Sequence, residues 1–183
     1  METKTLEQLI VGATPFLIIG GMRPVTWCRN VQRGPRSGPW QYKAEYSVVN
    51  DTAWNRLGEV LYFVTDKLGQ LRMVGQSSRR LKDRWRLSPM HDVHTKLPMG
   101  ERALFHTTAW PQIERAVHKE KMPLTVRALF GEDLAALCQR IGNPLSQLIE
   151  KCAEGPEHLS GRVEKFILET HGRSLGLWNK AGT

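Results

Sequence analysis

The chain has 183 residues, enough for one domain with a substantial core, and 40% of them are apolar. Twenty-six Lys and Arg against eighteen Asp and Glu leave a formal charge of +8 and a pI near 9.7, the footprint of a protein that meets phosphate. Cys28, Cys138 and Cys152 lie far apart with no CxxC among them, which gives no basis for a disulfide framework or a cysteine zinc site. The opening METKTLEQLIVGATPFLIIGG has too short an apolar run to span a membrane and lacks the charged-then-apolar order of a signal peptide. The expectation is a cytoplasmic protein without a membrane partner.

In chain order, Thr5 followed by Gln8 resembles a capping box, and Leu6, Leu9 and Ile10 share a helical face, so a short amphipathic helix opens the chain. From Gly20 to Pro39 the density of Gly, Pro and Arg predicts a loop or arm. Within 33-RGPRSGPW-40, Arg33 and Arg36 suit phosphate and Trp40 suits stacking, with a plain surface connection as the alternative. The stretch 60-VLYFVTDKLGQLRMVG-75 reads as a β-hairpin around the turn candidate Asp66-Lys67-Leu68-Gly69.

A helix is expected after the capping candidates Ser77 and Ser78, running to about Leu87 before Ser88-Pro89 stops it. Leu81 and Trp85, four apart, give it a buried seam, with Arg80 and Arg84 as a second stripe. An inserted segment at about 89–122 contains a further helix over 107–120. Then come a strand in 123-PLTVRALF-130, two helical segments parted by Gly142-Asn143-Pro144, and a last helix from about Ser160. Val163, Phe166 and Ile167 form its inner face and Gly172 its end. This order predicts an α+β fold: a small central sheet of about three strands flanked by helices, with residues 1–57 as an extension and 58–183 as the main domain.

The stretch 72-RMVGQSSRRLKDRW-85 crowds Arg79, Arg80, Lys82 and Arg84 into one turn-to-helix passage, and like charges at that spacing need solvent or an anionic partner. Here the hairpin resembles the core of the GIY-YIG nucleases, whose first strand bears Gly-Ile-Tyr and whose second bears Tyr-Ile-Gly ahead of a helix with a functional Arg. Val60-Leu61-Tyr62 and Met73-Val74-Gly75 stand at those motifs, with Gln76-Ser77 and then Arg84 following. Downstream, 161-GRVEKFILETHGRSLGLWN-179 supplies Glu164 and Asn179, which match the family's metal-binding Glu on a late helix and the Asn after it. The resemblance covers roughly residues 58–180.

The resemblance implies a divalent-metal-dependent endonuclease that hydrolyses DNA, double-stranded by preference, with Mg2+ or Mn2+ as cofactor. Tyr62 would position or activate water, Arg84 stabilise phosphate charge, Glu164 hold the metal and Asn179 order the site. Gly75, Ser77, Ser78, Arg79, Arg80 and Lys82, with Arg33 and Arg36, would hold the nucleic-acid backbone. Met73 stands where the second motif has tyrosine, and Ser88 where the family often has histidine, a place that His91 or His94 of 91-HDVH-94 can fill from the next loop. A compact restriction-type enzyme, homodimeric on a palindromic site, is the first subtype, followed by a phage, mobile-element or toxin nuclease. The competing classes are a noncatalytic nucleic-acid-binding module on a degenerate nuclease fold and a protein-interaction domain with an acidic partner.

Overall fold

A computed structural model describes residues 3–25, 41–85, 122–153, 158–172 and 174–179. The elements in chain order are α1 (Thr3–Gly12), β1 (Thr14–Val25), β2 (Gln41–Val48), α2 (Asp51–Asn55), β3 (Val60–Thr65), β4 (Leu71–Ser77), α3 (Leu81–Trp85), β5 (Leu124–Phe130), α4 (Gly131–Ile141), α5 (Leu145–Ala153) and α6 (Leu159–His171). The fold is α+β, and among the described residues its sheet has five strands in the order β2-β1-β5-β3-β4, every neighbouring pair antiparallel.

Five strands replace the expected three because β1 and β2 come from the segment read as an extension. β1 runs on through Gly20, Gly21 and Pro24, which composition had assigned to a loop. The sheet accommodates them locally. Pairing with β5 ends at Ile19, and the register with β2 shifts between Ile19 and Gly21, the irregularity at which a strand tolerates glycine. Beyond that point β1 pairs with β2 alone, so Pro24 interrupts no ladder with β5.

Alternation along β3 divides the core. Val60, Tyr62 and Val64 face one layer, where Phe16, Leu17, Ile19, Ala53, Leu81 and Trp85 gather. Leu61 and Phe63 face the other, packed with Leu6, Leu9, Leu134, Leu137, Val163 and Ile167 from α1, α4 and α6. Period-two burial from a central strand meeting period-3.6 stripes on helices is the arrangement that removes most apolar area from water. All six β3 residues are buried, because this strand is covered on both faces.

The hairpin, the 123–130 strand, the split pair α4 and α5, and the last helix fall where the sequence places them. Two boundaries differ. α1 begins at Thr3, so Thr5 lies inside its first turn and is no N-cap. α3 begins at Leu81, three residues after Ser78, because Ser77 turns its hydroxyl to the N–H of Arg79 (3.1 Å) and caps the turn before the helix. Among the described residues, no helix is long and apolar enough to cross a membrane.

Candidate active site

The hairpin's register is held at its turn. Gly69 has φ +76°, the left-handed conformation that favours glycine. The Asp66 carboxylate accepts the N–H groups of Leu68 (2.9 Å) and Gln70 (3.0 Å) and both Nε (2.8 Å) and a terminal nitrogen (2.6 Å) of Arg72. Burial alone would raise the Asp66 pKa, yet Arg72 and the two backbone donors hold it below the usual carboxylate range. This lock sets Tyr62 directly opposite Gly75.

That pairing makes the site possible. A Cβ on Gly75 would lie 2.3 Å from both Cζ and the hydroxyl oxygen of Tyr62, so the tip of the phenol ring occupies the space a side chain would fill. Because β4 is the last strand of the sheet, the ring points toward the sheet's edge. Trp85 holds it from the side, edge-on at 5.4 Å between centroids and 82° between planes, a contact of about 0.5–1.5 kcal/mol beyond area burial. Arg84, the preceding residue of α3, donates to the Tyr62 hydroxyl from Nε (3.3 Å) and from a terminal nitrogen (3.1 Å). Leu81 and Trp85, both buried, fix the face of this short helix and thereby aim Arg84.

Burial pushes the Tyr62 pKa up, and although Arg84 pulls it down by charge and hydrogen bond, the net shift is upward. The phenol therefore keeps its proton at neutral pH. Its oxygen accepts from Arg84 and its own O–H can donate, which suits orienting a water and not deprotonating it.

Glu164 enters from α6, one residue and about 100° round that helix from Val163 in the buried Val163–Ile167 stripe. Its charge acts on Tyr62, and Arg84 acts on it. Partial burial raises its pKa to about 7, against the opposing pull of Arg84. Asn179 has a different place from a freely presented side chain: Oδ1 accepts the Val74 N–H (3.1 Å) and Nδ2 donates to the Val74 carbonyl (2.6 Å). With the Trp178 N–H on the Arg72 carbonyl (2.7 Å), its carboxamide substitutes for a neighbouring strand along β4 beside Gly75.

Thus Tyr62, Gly75, Arg84, Glu164 and Asn179, up to 117 positions apart by their numbers (179 − 62), are brought to one edge of the sheet. Met73 faces the same layer two residues before Gly75, but it is buried in the apolar cluster opposite Val64. Arg79, Arg80 and Ser78 are exposed on the turn entering α3, and Lys82 reaches Asn55 of α2 at 3.2 Å. Ser77 is buried, its hydroxyl occupied by the turn. Arg33, Arg36, His91, His94, the end of the α3 region toward Leu87 and the expected 107–120 helix lie outside the described residues.

The Asp66–Arg72 lock and the Trp85 wall add supporting residues that sequence reasoning left as turn and seam; the Asp66-to-Gly69 turn signal with an arginine just beyond was the available clue to the first. Among the described residues, no three His, Cys, Asp or Glu side chains converge to cage a metal ion. Comparison of the chain with protein-family models, with curated proteins and with solved structures finds no match.

Proposed function

We propose that the protein is a divalent-metal-dependent endonuclease of the GIY-YIG type, hydrolysing phosphodiester bonds in DNA. The observation that carries this reading is the Tyr62 hydroxyl held by two bonds from Arg84 within the field of the half-buried Glu164. A phosphate in-line displacement asks for oriented water and preorganised positive charge, and little else from the protein. In this reading Tyr62 orients the water, Arg84 binds the phosphate whose charge grows in the transition state, and Asn179 keeps the β4 edge in place beneath it.

The donor set fits Mg2+ or Mn2+. Glu164 is a carboxylate whose ionised form burial disfavours, so an adjacent cation restores it. One carboxylate with water and substrate oxygens completing the shell is the usual habit of Mg2+, which needs no protein cage. Held by Glu164, such an ion would stabilise the negative charge that develops on the phosphate. The exposed Arg79 and Arg80, with Lys82, extend positive charge from Arg84 along the approach to α3, where a nucleic-acid backbone is expected to lie.

A second reading, a noncatalytic nucleic-acid-binding module, is favoured by Met73, whose buried thioether gives neither proton exchange nor a useful hydrogen bond. Plasmid cleavage with Mg2+ or Mn2+ separates the two. The parent is expected to cut, and Arg84→Ala and Glu164→Ala each to reduce the rate by about 10²-fold or more. Salt-sensitive binding without nicking sinks the enzyme reading; cutting indifferent to both substitutions sinks the site. Mapped ends then separate a restriction-type enzyme, with fixed cuts, from a toxin nuclease, with scattered ones.

A further inference from the structure

Glu59 is the residue before β3, three positions ahead of Tyr62. Its backbone carbonyl accepts the N–H of Gly131, at the start of α4, at 3.0 Å. Its side chain turns to a different helix. Oε1 accepts the N–H of Ser160, in the first turn of α6, and Oε2 lies 3.7 Å from Nδ1 of His158.

Local sequence leaves α6 without a cap. His158 occupies the N-cap position and makes no side-chain capping bond. The Ser160 hydroxyl is buried with no hydrogen-bond partner among the described residues. A carboxylate 101 positions away therefore does the work that a neighbouring Ser or Asp usually does, and it meets the positive end of the helix dipole. The same residue is covalently continuous with the strand bearing Tyr62 and hydrogen-bonded to the helix bearing Glu164.

We infer that Glu59 is a positioning residue for the candidate site: it fixes the axial setting of α6 against β3, and so where Glu164 stands relative to Tyr62 and Arg84. Its kinetic consequence rests on the nuclease reading; its structural consequence does not. Length, not charge, is the requirement. Gln retains an oxygen at the right reach for the Ser160 N–H, whereas Asp retains the charge and falls one methylene short.

The test uses the full chain with Glu59→Ala, Glu59→Asp and Glu59→Gln, and with Leu9→Ala as a control that lowers stability from α1, which shares the core layer of α6 but packs chiefly on α4. Glu59→Ala and Glu59→Asp are expected to lower kcat about tenfold with KM for DNA nearly unchanged, and to weaken Mn2+ binding in calorimetry about tenfold. Glu59→Gln and Leu9→Ala are expected to keep both near the parent values. Parent-like kcat and Mn2+ affinity in Glu59→Asp overturn the inference, as does a loss in Leu9→Ala equal to that in Glu59→Asp.

A cycle of denaturant midpoints needs no activity: parent, Glu59→Asp, Glu164→Gln and the double variant. Non-additive midpoints are expected, because Glu59 holds the first turn of the helix that carries Glu164, so both side chains act through the setting of α6 against β3. Additive midpoints reject the coupling. A parent that does not cut DNA removes the nuclease reading and leaves the cycle to decide the positioning role alone.

Discussion

At the residue scale, Gly75 and Glu164 make opposite demands on the fold. Gly75→Ala places a methyl where the Tyr62 phenol lies, 2.3 Å from its oxygen. Overpacking of a closed core costs about 1–3 kcal/mol, and the ring can escape only by breaking its bonds to Arg84. Gly75→Ala is expected to lose that much stability in urea unfolding and nearly all cleavage. Glu164 is an ionisable group whose folded pKa, about 7, stands above the ordinary 4.5. The stability tied to this carboxyl is therefore complete below about pH 4.5 and is lost as pH rises through about 7. Glu164→Gln is expected to be more stable than the parent at pH 8 by about 3 kcal/mol, equal to it near pH 4, and inactive. Urea midpoints at the two pH values, measured without added metal, check this. The hairpin and the helix that carry Tyr62, Gly75 and Arg84 were legible as local patterns, whereas the choice of these three as site residues came from the resemblance. Glu59 was not, since its partner Ser160 lies 101 residues on and nothing near it in sequence announces a cap.

At the element scale, the hairpin is a rigid unit on which the register of the site depends. Asp66 is 4% exposed and its four accepted bonds come from two backbone N–H groups and Arg72. Removing one partner leaves the other charge poorly solvated, so Asp66→Ala is expected to cost about 3–5 kcal/mol in chemical denaturation. Because the folded pKa of Asp66 is depressed, its contribution is present above pH 3.8 and declines as pH falls through the lowered folded value; acid titration of the parent by circular dichroism follows the loss. The turn residues gave this hairpin away, as alternation gave β5 and the buried seam gave α3. β1 remained illegible for a physical reason: glycines and proline weaken a strand in isolation, and here the bulge and the partner β2 absorb them. Asn179 shows the same dependence on tertiary context, since a carboxamide read as a site-ordering or turn residue became a stand-in for peptide groups along β4.

At the scale of the whole molecule, β1 and β2 share one sheet with β3, β4 and β5. β5 lies between β1 and β3, with Leu17 paired to Val126 and Tyr62 to Ala128. A chain restricted to residues 58–183 loses Phe16, Leu17 and Ile19 from one core layer and Leu6 and Leu9 from the other. That fragment is expected to lack a cooperative thermal transition, which circular dichroism would show, even though it contains every residue of the resemblance. The overall α+β character was readable from the alternation of short strand and helix signals; the sheet's width was not, because it is decided by pairing across more than a hundred residues. The central position of β5 also bears on biosynthesis. Leu17 waits for Val126 to emerge before its ladder can close, so a ribosome-bound chain carries β1 and the β3–β4 hairpin as separate, unjoined pieces until β5 has been made. The strand that completes the sheet is thus also the one that times folding, and slow elongation before residue 124 would lengthen the interval in which those edges meet other chains.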